Sequence, residues 1–81
     1  MTSEQAEKII FRTSFNFLRK YSDNIANATN KEWLQLINEF DEVLSTTKDF
    51  KKIEHKLHHD ILLAVVNYLE AKYKKEGTYY G

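Results

Sequence analysis

Three histidines lie close together in the segment EHKLHHD, as His55, His58 and His59. His55 and His59 are one helical turn apart, the spacing at which two imidazoles can share a metal ion. A zinc site needs a third or fourth ligand, and the sequence has no cysteine and no further histidine. We therefore interpret the three as solvated side chains near a helix end. A metal site at His55 and His59 and a pH-responsive contact are the alternatives.

No other group of residues predicts catalysis. Ser14 falls on an apolar helix face, where we expect its hydroxyl to bond a carbonyl of the preceding turn. The two glycines are Gly77 and Gly81, so the sequence offers no glycine-rich loop for a phosphate. The carboxylates within 39–42 are typical of a solvated helix surface. We predict a protein that is not an enzyme and that uses no cofactor.

Length and hydropathy predict one soluble domain spanning 1–81. The longest apolar run, 61–66, is far shorter than the ~20 residues of a membrane span. The opening MTSEQAEK does not resemble a secretory signal, and cysteine is absent. These features predict a cytoplasmic protein that does not enter a membrane.

The charges balance overall, with 12 basic and 12 acidic side chains, but they are unevenly distributed. Residues 1–24 carry four basic and three acidic side chains, 25–47 carry one and four, and 48–81 carry seven and five. A nucleic-acid-binding protein usually presents a strongly basic face, which no segment provides. The acidic middle helix and its two mildly basic neighbours instead suggest that the charges complement one another within the chain.

Two capping boxes mark helix starts, at Thr2-Ser3-Glu4-Gln5 and at Thr29-Asn30-Lys31-Glu32. With the apolar periodicity, they predict helices over 4–22, 30–47 and 49–76, the last ended by Gly77 and followed by a tail at 77–81. The predicted fold is an all-α antiparallel three-helix bundle with a long C-terminal helix. We expect these core residues: Ile10, Phe17, Leu18, Tyr21, Trp33, Leu36, Ile37, Phe40, Leu44, Ile53, Leu57, Ile61, Ala64, Val65 and Tyr68.

The third helix has more apolar circumference than an outer helix of a small bundle needs. Its apolar arc covers about 220°, whereas one buried stripe needs little more than ~100°. We therefore expect part of the arc to be covered by another protein chain. The predicted protein-binding residues lie at the outer edge of this arc and on the tail: Leu62, Leu63, Val66, Leu69, Glu70, Tyr73, Lys74, Tyr79 and Tyr80.

Three stretches carry a resemblance: FRTSFNFLRKY at 11–21, TNKEWLQLINEFDEVL at 29–44 and ILLAVVNYLEAKYKKEG at 61–77. Together they resemble a group of small helical proteins of unassigned function that phages and mobile elements of low-GC Gram-positive bacteria carry. The resemblance implies a cytoplasmic protein of phage or mobile-element origin. It transfers no active-site residue.

These observations favour a non-catalytic protein that binds another protein. If the resemblance holds, its partner is a host enzyme or defence complex that it inhibits by steric occlusion. A homodimer, closed by the wide arc of the third helix, is the first alternative. A nucleic-acid accessory protein and a bacteriocin immunity protein are further alternatives.

Overall fold

The computed structural model describes residues 1–74, which form three α-helices and one turn of 3-10 helix. The helices are α1 (Ser3–Ser22), α2 (Asn30–Ser45) and α3 (Lys52–Tyr73), and the 3-10 turn is Ile25–Asn27. No strand occurs in this range. The prediction of an all-α three-helix fold with a long last helix is confirmed.

Side-chain caps begin α1 and α2 where the sequence indicates. The Thr2 hydroxyl accepts from the Gln5 backbone N–H at 3.1 Å, and the Gln5 side chain accepts from the Thr2 N–H at 2.8 Å. Thr29 and Glu32 form the same reciprocal pair, at 3.2 and 3.0 Å. Hydrogen bonds from the Thr29 backbone and side chain lower the pKa of the exposed Glu32 carboxyl. Both predicted capping boxes are confirmed.

The start of α3 differs from the prediction: it begins at Lys52 rather than at 49. The hydroxyls of Thr46 and Thr47 donate to the carbonyls of Val43 and Leu44, at 2.6 and 3.2 Å. These bonds compete with helical backbone pairing and favour the turns that separate α2 from α3. Within the described chain α3 ends at Tyr73, so the predicted extension to 76, Gly77 and the tail lie outside the described residues.

The helices run up, down and up. Tyr21 near the end of α1 contacts Glu39 of α2, and Tyr73 at the end of α3 contacts Asn30 at the start of α2. Thr13 of α1 pairs with His58 of α3. Nine residues further along α1, the Lys72 ammonium bonds the Ser22 carbonyl. α1 and α3 therefore run in the same direction, and α2 runs opposite to both.

The centre of the core draws on every element. Phe17, Ile25, Leu36, Leu62 and Leu69 form one buried cluster, at 0–2 % exposure. Burial confirms Ile10, Phe17 and Leu36 as core residues. The following predicted residues are partly buried against the cluster: Leu18, Tyr21, Trp33, Ile37, Phe40, Leu44 and Val65. Burial of Ile25 was not predicted, because the 3-10 turn that carries it has no apolar periodicity.

α3 turns a different side to the core from the one predicted. Ile53, Ala64 and Tyr68 were expected inside but are exposed, and Leu57 and Ile61 are only partly buried. The buried side carries His58, Leu62 and Leu69, centred about 80° round the helix from Ile61. Since the apolar arc is wider than one buried stripe, hydropathy did not distinguish its two edges.

Candidate functional site

The orientation of α3 leaves apolar side chains of α1 and α3 outside the buried core, and we call this set the outer face. α3 meets α2 through His59 and Tyr73, and meets α1 through His58 and Lys72. The apolar stripe of α3 lies beyond the α1-contacting edge, turned away from α2. We define the outer face by two residues of α1 and four of α3: Phe11, Phe15, Leu57, Ile61, Ala64 and Tyr68.

The α1 part of the outer face consists of two phenylalanines. Phe15 is about 20° round α1 from Ser22, which contacts Lys72 of α3, and about 120° from Tyr21, which contacts α2. Phe11 lies one turn earlier on the same side. The two phenylalanines therefore lie on the exposed side of α1, and the other contact of α1 with α3, through Thr13, lies about 160° away from Phe15.

Large aromatic surfaces remain open to solvent on this face. Phe11, Phe15 and Tyr68 are 57, 59 and 52 % exposed. Since a whole aromatic residue presents roughly 150–250 Å², these three leave about 250–400 Å² accessible. That summed area reaches the lower end of the roughly 300–600 Å² of the largest apolar patch on a typical monomer, and such patches often mark interaction sites.

Basic residues adjoin the aromatic pair on α1. Lys8 and Arg12 lie three residues before Phe11 and Phe15, and Arg19 lies four residues after Phe15. The Lys8 ammonium lies 3.4 Å from the Glu4 carboxylate. The Arg19 guanidinium donates two hydrogen bonds, of 2.9 and 3.0 Å, to the Asp23 carboxylate. Within residues 1–74 Arg12 forms no ion pair. Glu7 lies four residues before Phe11 on the same side, so the aromatic pair has a charged rim of both signs.

Several residues predicted to bind a partner lie elsewhere. Leu62 and Leu69 are completely buried, so the expectation that they form an exposed edge is wrong. Tyr73 stacks on Trp33, with ring centroids 5.0 Å apart, and its hydroxyl donates to Asn30 Oδ1 at 2.7 Å. Leu62, Leu69 and Tyr73 therefore pack against other parts of the same chain. Their spacing along α3 is as compatible with this intramolecular packing as with an exposed edge.

The remaining predicted binding residues are spread over α3 and beyond it. Val66 is partly buried against the core, and Leu63 is 42 % exposed on a different side from the outer face. The Lys74 ammonium is 3.9 Å from the Glu70 carboxylate along the helix surface. Tyr79 and Tyr80 lie outside the described residues. The described part of the chain does not bring this set together as one patch.

His58 is the largest departure from the sequence interpretation, because it is completely buried. Its Nε2 lies 2.9 Å from the Thr13 hydroxyl of α1, and its Nδ1 lies 2.8 Å from the Thr47 hydroxyl after α2. Thr47 also lies 3.0 Å from Nδ1 of His55. The imidazole therefore joins all three helical regions. We call these four residues the histidine network.

The network satisfies a neutral imidazole in either tautomer. Thr13 Oγ is 3.2 Å from the Ile10 carbonyl, and Thr47 Oγ is 3.2 Å from the Leu44 carbonyl. Each threonine can thus direct its proton to the ring or to a carbonyl one turn back. A protonated ring would be unfavourable, because its charge would be buried beside the Thr13 and Thr47 hydroxyls instead of beside carboxylates. Burial, and secondly the nearby His55, lower the pKa of His58.

The histidines do not converge as a metal-binding set. Nδ1 of His59 lies 3.2 Å from Asp60, and its ring meets Phe40 edge-on, whereas His55 faces Thr47. Among residues 1–74 no three histidine or carboxylate side chains are close enough to hold a metal ion. The interpretation of three solvated side chains is wrong for His58.

Ser14 differs from its expected role. It is 2 % exposed, and its hydroxyl has no hydrogen-bond partner among residues 1–74. The Ile10 carbonyl that we expected it to bond instead accepts from Thr13 at 3.2 Å. A buried hydroxyl without a partner is a cost to stability and gives no activated nucleophile.

A small cleft lies between α1, the 3-10 turn and α2. It has a volume of about 220 Å³ and includes Tyr21, Ile25 and Glu32 in its lining. Beside it Glu39 Oε1 accepts from Lys20 at 2.6 Å and from the Tyr21 hydroxyl at 2.9 Å. Burial, and then Glu39, raise the pKa of Tyr21 to about 12. The cleft is below the ~300–1,000 Å³ of a typical small-molecule site.

Comparison with other proteins adds no assignment. The chain matches no protein-family model, no curated protein and no solved structure. No helix within residues 1–74 is both long and apolar enough to cross a membrane. The outer face and the histidine network are therefore interpreted from their own geometry.

The sequence contained signals for both features. The spacing of Leu57, Ile61, Ala64 and Tyr68 is a 4-3-4 pattern that suits a helix-packing stripe, but the same residues also fit an internal core. For His58, the signal is its position beside Leu62 and Leu69 on the helical wheel, together with threonines available on neighbouring elements. That the threonines reach the ring depends on how the helices pack.

Proposed function

We propose that this chain is a non-catalytic protein-binding module that uses the outer face to contact another protein. The observation that carries the proposal is the exposure of three large aromatic side chains, Phe11 and Phe15 on α1 and Tyr68 on α3. Aromatic residues with a polar or charged rim are the usual composition of a protein–protein contact.

The extent of the surface supports this assignment. The α3 stripe from Leu57 to Tyr68 spans about 16 Å, and α1 carries two further exposed aromatic residues, Phe11 and Phe15. A stable interface buries roughly 800 Å² on each partner. The aromatic residues supply about a third to a half of that area, and the aliphatic and charged neighbours can supply the rest.

The resemblance to phage and mobile-element proteins provides a more specific form of the proposal. In this form the protein acts in the cytoplasm and inhibits a host enzyme or defence complex. The outer face would cover a functional surface of that partner, so inhibition would be steric. The support for this form is the sequence resemblance together with an exposed apolar surface, and it requires no catalytic group.

Site-specific photo-crosslinking in the native host tests the proposal. A photoreactive phenylalanine analogue is placed at Phe15 in one variant and at Leu34 in a matched control. Leu34 is 62 % exposed on α2, close to the 59 % of Phe15. We expect a discrete crosslinked protein from position 15 and none from position 34.

The same experiment defines failure. Equal crosslinking from both positions, or none from position 15, would contradict a specific contact through the outer face. A crosslinked product of twice the chain mass would assign the contact to a homodimer, the alternative function. Sedimentation of the purified full chain then measures whether that dimer forms without other components.

A further inference from the structure

We infer that the histidine network is a pH-sensitive switch, which holds the segment 46–61 against α1 and releases it when His58 takes up a proton. The segment consists of the connection between α2 and α3 and the part of α3 that ends at Ile61. Its release is a local opening, in which the remaining helices stay packed. The switch acts within a single chain and needs no partner, so it goes beyond the proposed function.

The segment 46–61 lacks the apolar anchors that hold the rest of the chain. Its only buried residues are Thr47 and His58, and both are polar. Neither the central hydrophobic cluster nor the side chains packed against it include a residue of this segment. Three apolar side chains of the segment are partly buried without joining that cluster: Phe50, Leu57 and Ile61. A segment with so few buried apolar contacts can open while the rest stays folded.

The bonds of His58 connect this segment to the rest of the molecule. Its Nε2 lies 2.9 Å from Thr13 Oγ of α1, and its Nδ1 lies 2.8 Å from Thr47 Oγ in the connection. Thr47 Oγ also lies 3.0 Å from Nδ1 of His55, so two imidazoles meet on one hydroxyl. Because a hydroxyl has one proton, Thr47 bonds both rings only if at least one ring donates from Nδ1. Neutral rings meet this condition in complementary tautomers.

A proton on His58 would introduce a charge that no neighbouring group compensates. α1, α2 and the connection present the Thr13 and Thr47 hydroxyls and the carbonyl that Thr47 bonds. On α3, His55 shares Thr47 with the ring, and the Glu54 carboxylate accepts from the backbone at the start of the helix at 3.3 Å. The charged residues next to these contacts on the other elements are exposed: Arg12, Asp41, Glu42, Lys48 and Asp49. Protonation therefore favours a state in which water reaches the ring.

The direction of the response follows from the proton affinities of the two states. Burial, and secondly His55, keep the pKa of His58 below its ordinary value while the segment is closed. In the open segment the ring should have the ordinary pKa of ~6.5. Because the open state binds the proton more tightly, acidification shifts the equilibrium towards it. From about pH 7.5 to about pH 5.5 the ratio of open to closed chains should rise by up to about tenfold.

Hydrogen exchange of the full-length chain tests the switch. Exchange is followed by mass spectrometry at about pH 7.5 and about pH 5.5 and is corrected for the intrinsic effect of pH on amide exchange. We expect amides within 46–61 to be less protected than those within 62–73 at both pH values. On acidification the protection of 46–61 should fall by up to about tenfold. Trp33, the single tryptophan, stacks on Tyr73 at the far end of α3, and its fluorescence should not change.

Matched substitutions assign the response to the buried ring. His58→Gln keeps a polar side chain without a titrating ring, so the protection of 46–61 should no longer depend on pH. His59→Gln removes the neighbouring exposed imidazole and should retain the response. Thr47→Val removes the shared hydroxyl and should lower the protection of 46–61 about fivefold or more at neutral pH. Circular dichroism checks that each variant keeps its helices.

Several outcomes would overturn the switch. Equal protection of 46–61 and 62–73 at both pH values would mean that the chain opens only as one unit. A response that survives His58→Gln would have another source. If His58→Gln does not fold, NMR of the imidazoles in the unmodified chain decides instead. A His58 ring that titrates at its ordinary pKa while 46–61 stays protected would contradict the inference. The proposed function is decided separately, by crosslinking from position 15.

Discussion

The two sides of α3 invert the usual relation between hydropathy and burial. On the inner side His58, a titratable residue, is completely buried, whereas on the outer side Ile53 and Tyr68 are 77 and 52 % exposed. The inner side can hold the imidazole because Thr13 and Thr47 supply hydroxyls at both ring nitrogens. A polar residue with two local partners can thus take a core position that an apolar residue would otherwise fill.

The comparison of the two sides of α3 also distinguishes residues that stabilise the fold from residues that are available to bind a partner. Side chains of the inner side contact the other helices and should dominate the free energy of unfolding. Side chains of the outer face leave apolar area in water and should contribute little until a partner covers them. Substitutions on the two sides are therefore expected to differ in size and in what they change.

The largest expected effect is the decrease in the free energy of unfolding caused by Leu62→Ala. Because Leu62 is fully buried, its truncation should lower the free energy of unfolding by about 2–5 kcal/mol. Urea denaturation followed by circular dichroism measures this. Leu63→Ala is the neighbouring control, since Leu63 is 42 % exposed, and should cost less than about 1 kcal/mol. Equal losses at the two positions would mean that α3 is rotated differently.

The next effect concerns pH. Since the pKa of His58 is lowered in the folded protein, the unfolded chain takes up the proton first on acidification. Stability should be greatest above pH ~6.5 and should fall from there towards the lowered pKa, with a slope of at most ~1.4 kcal/mol per pH unit from this group. Urea midpoints between neutral and mildly acidic pH measure the slope.

Two substitutions assign that pH dependence. His58→Gln keeps a polar side chain without a titrating ring, so it should lower stability at neutral pH and flatten the slope. His59→Gln removes an exposed imidazole and should leave most of the slope in place. A slope that survives His58→Gln unchanged would show that the buried ring is not its source.

A smaller effect is expected at Ser14. Its buried hydroxyl has no hydrogen-bond partner in the described part of the chain, so Ser14→Ala should be neutral or should raise the free energy of unfolding by up to about 1 kcal/mol. Thr13→Val is the contrasting substitution, because it removes the hydroxyl that bonds His58, and it should destabilise by about 1–3 kcal/mol. Thermal unfolding of the two variants compares them, and a destabilised Ser14→Ala would reveal a bond to that hydroxyl.

The smallest effect on stability is expected on the outer face. Phe15→Ser should change the free energy of unfolding by no more than about 0.5–1 kcal/mol, since Phe15 is 59 % exposed. Denaturation with urea measures this in the absence of partners. A loss as large as that of Leu62→Ala would show that Phe15 supports the fold instead of forming an exposed surface.

The sequence was a reliable guide wherever a local pattern had one physical meaning. The Thr2–Gln5 and Thr29–Glu32 caps could be read directly, because each satisfies backbone amides within one turn. α2 was equally clear, since its narrow apolar stripe allows only one side to face inward. Prediction failed at the start of α3, where threonine hydroxyls redirect the backbone, and at the 3-10 turn carrying Ile25.

The candidate site was harder to predict than the fold. The excess apolar circumference of α3 correctly indicated an uncovered surface, but the wrong edge was assigned to it. Leu62 and Leu69 became core residues, whereas Ile53, Ala64 and Tyr68 remained exposed. Both edges are similarly apolar, so the difference depends on where Thr13, Thr47 and Trp33 lie around α3.

Amino-acid order alone was enough to establish three helices, the caps that begin two of them, and more apolar surface on the third than two neighbours can cover. These properties follow from interactions within a few turns of chain. Packing in three dimensions selected which edge of α3 is buried, because that choice depends on hydroxyls and rings brought from distant positions. The same packing placed His58 inside and left Phe11, Phe15 and Tyr68 exposed.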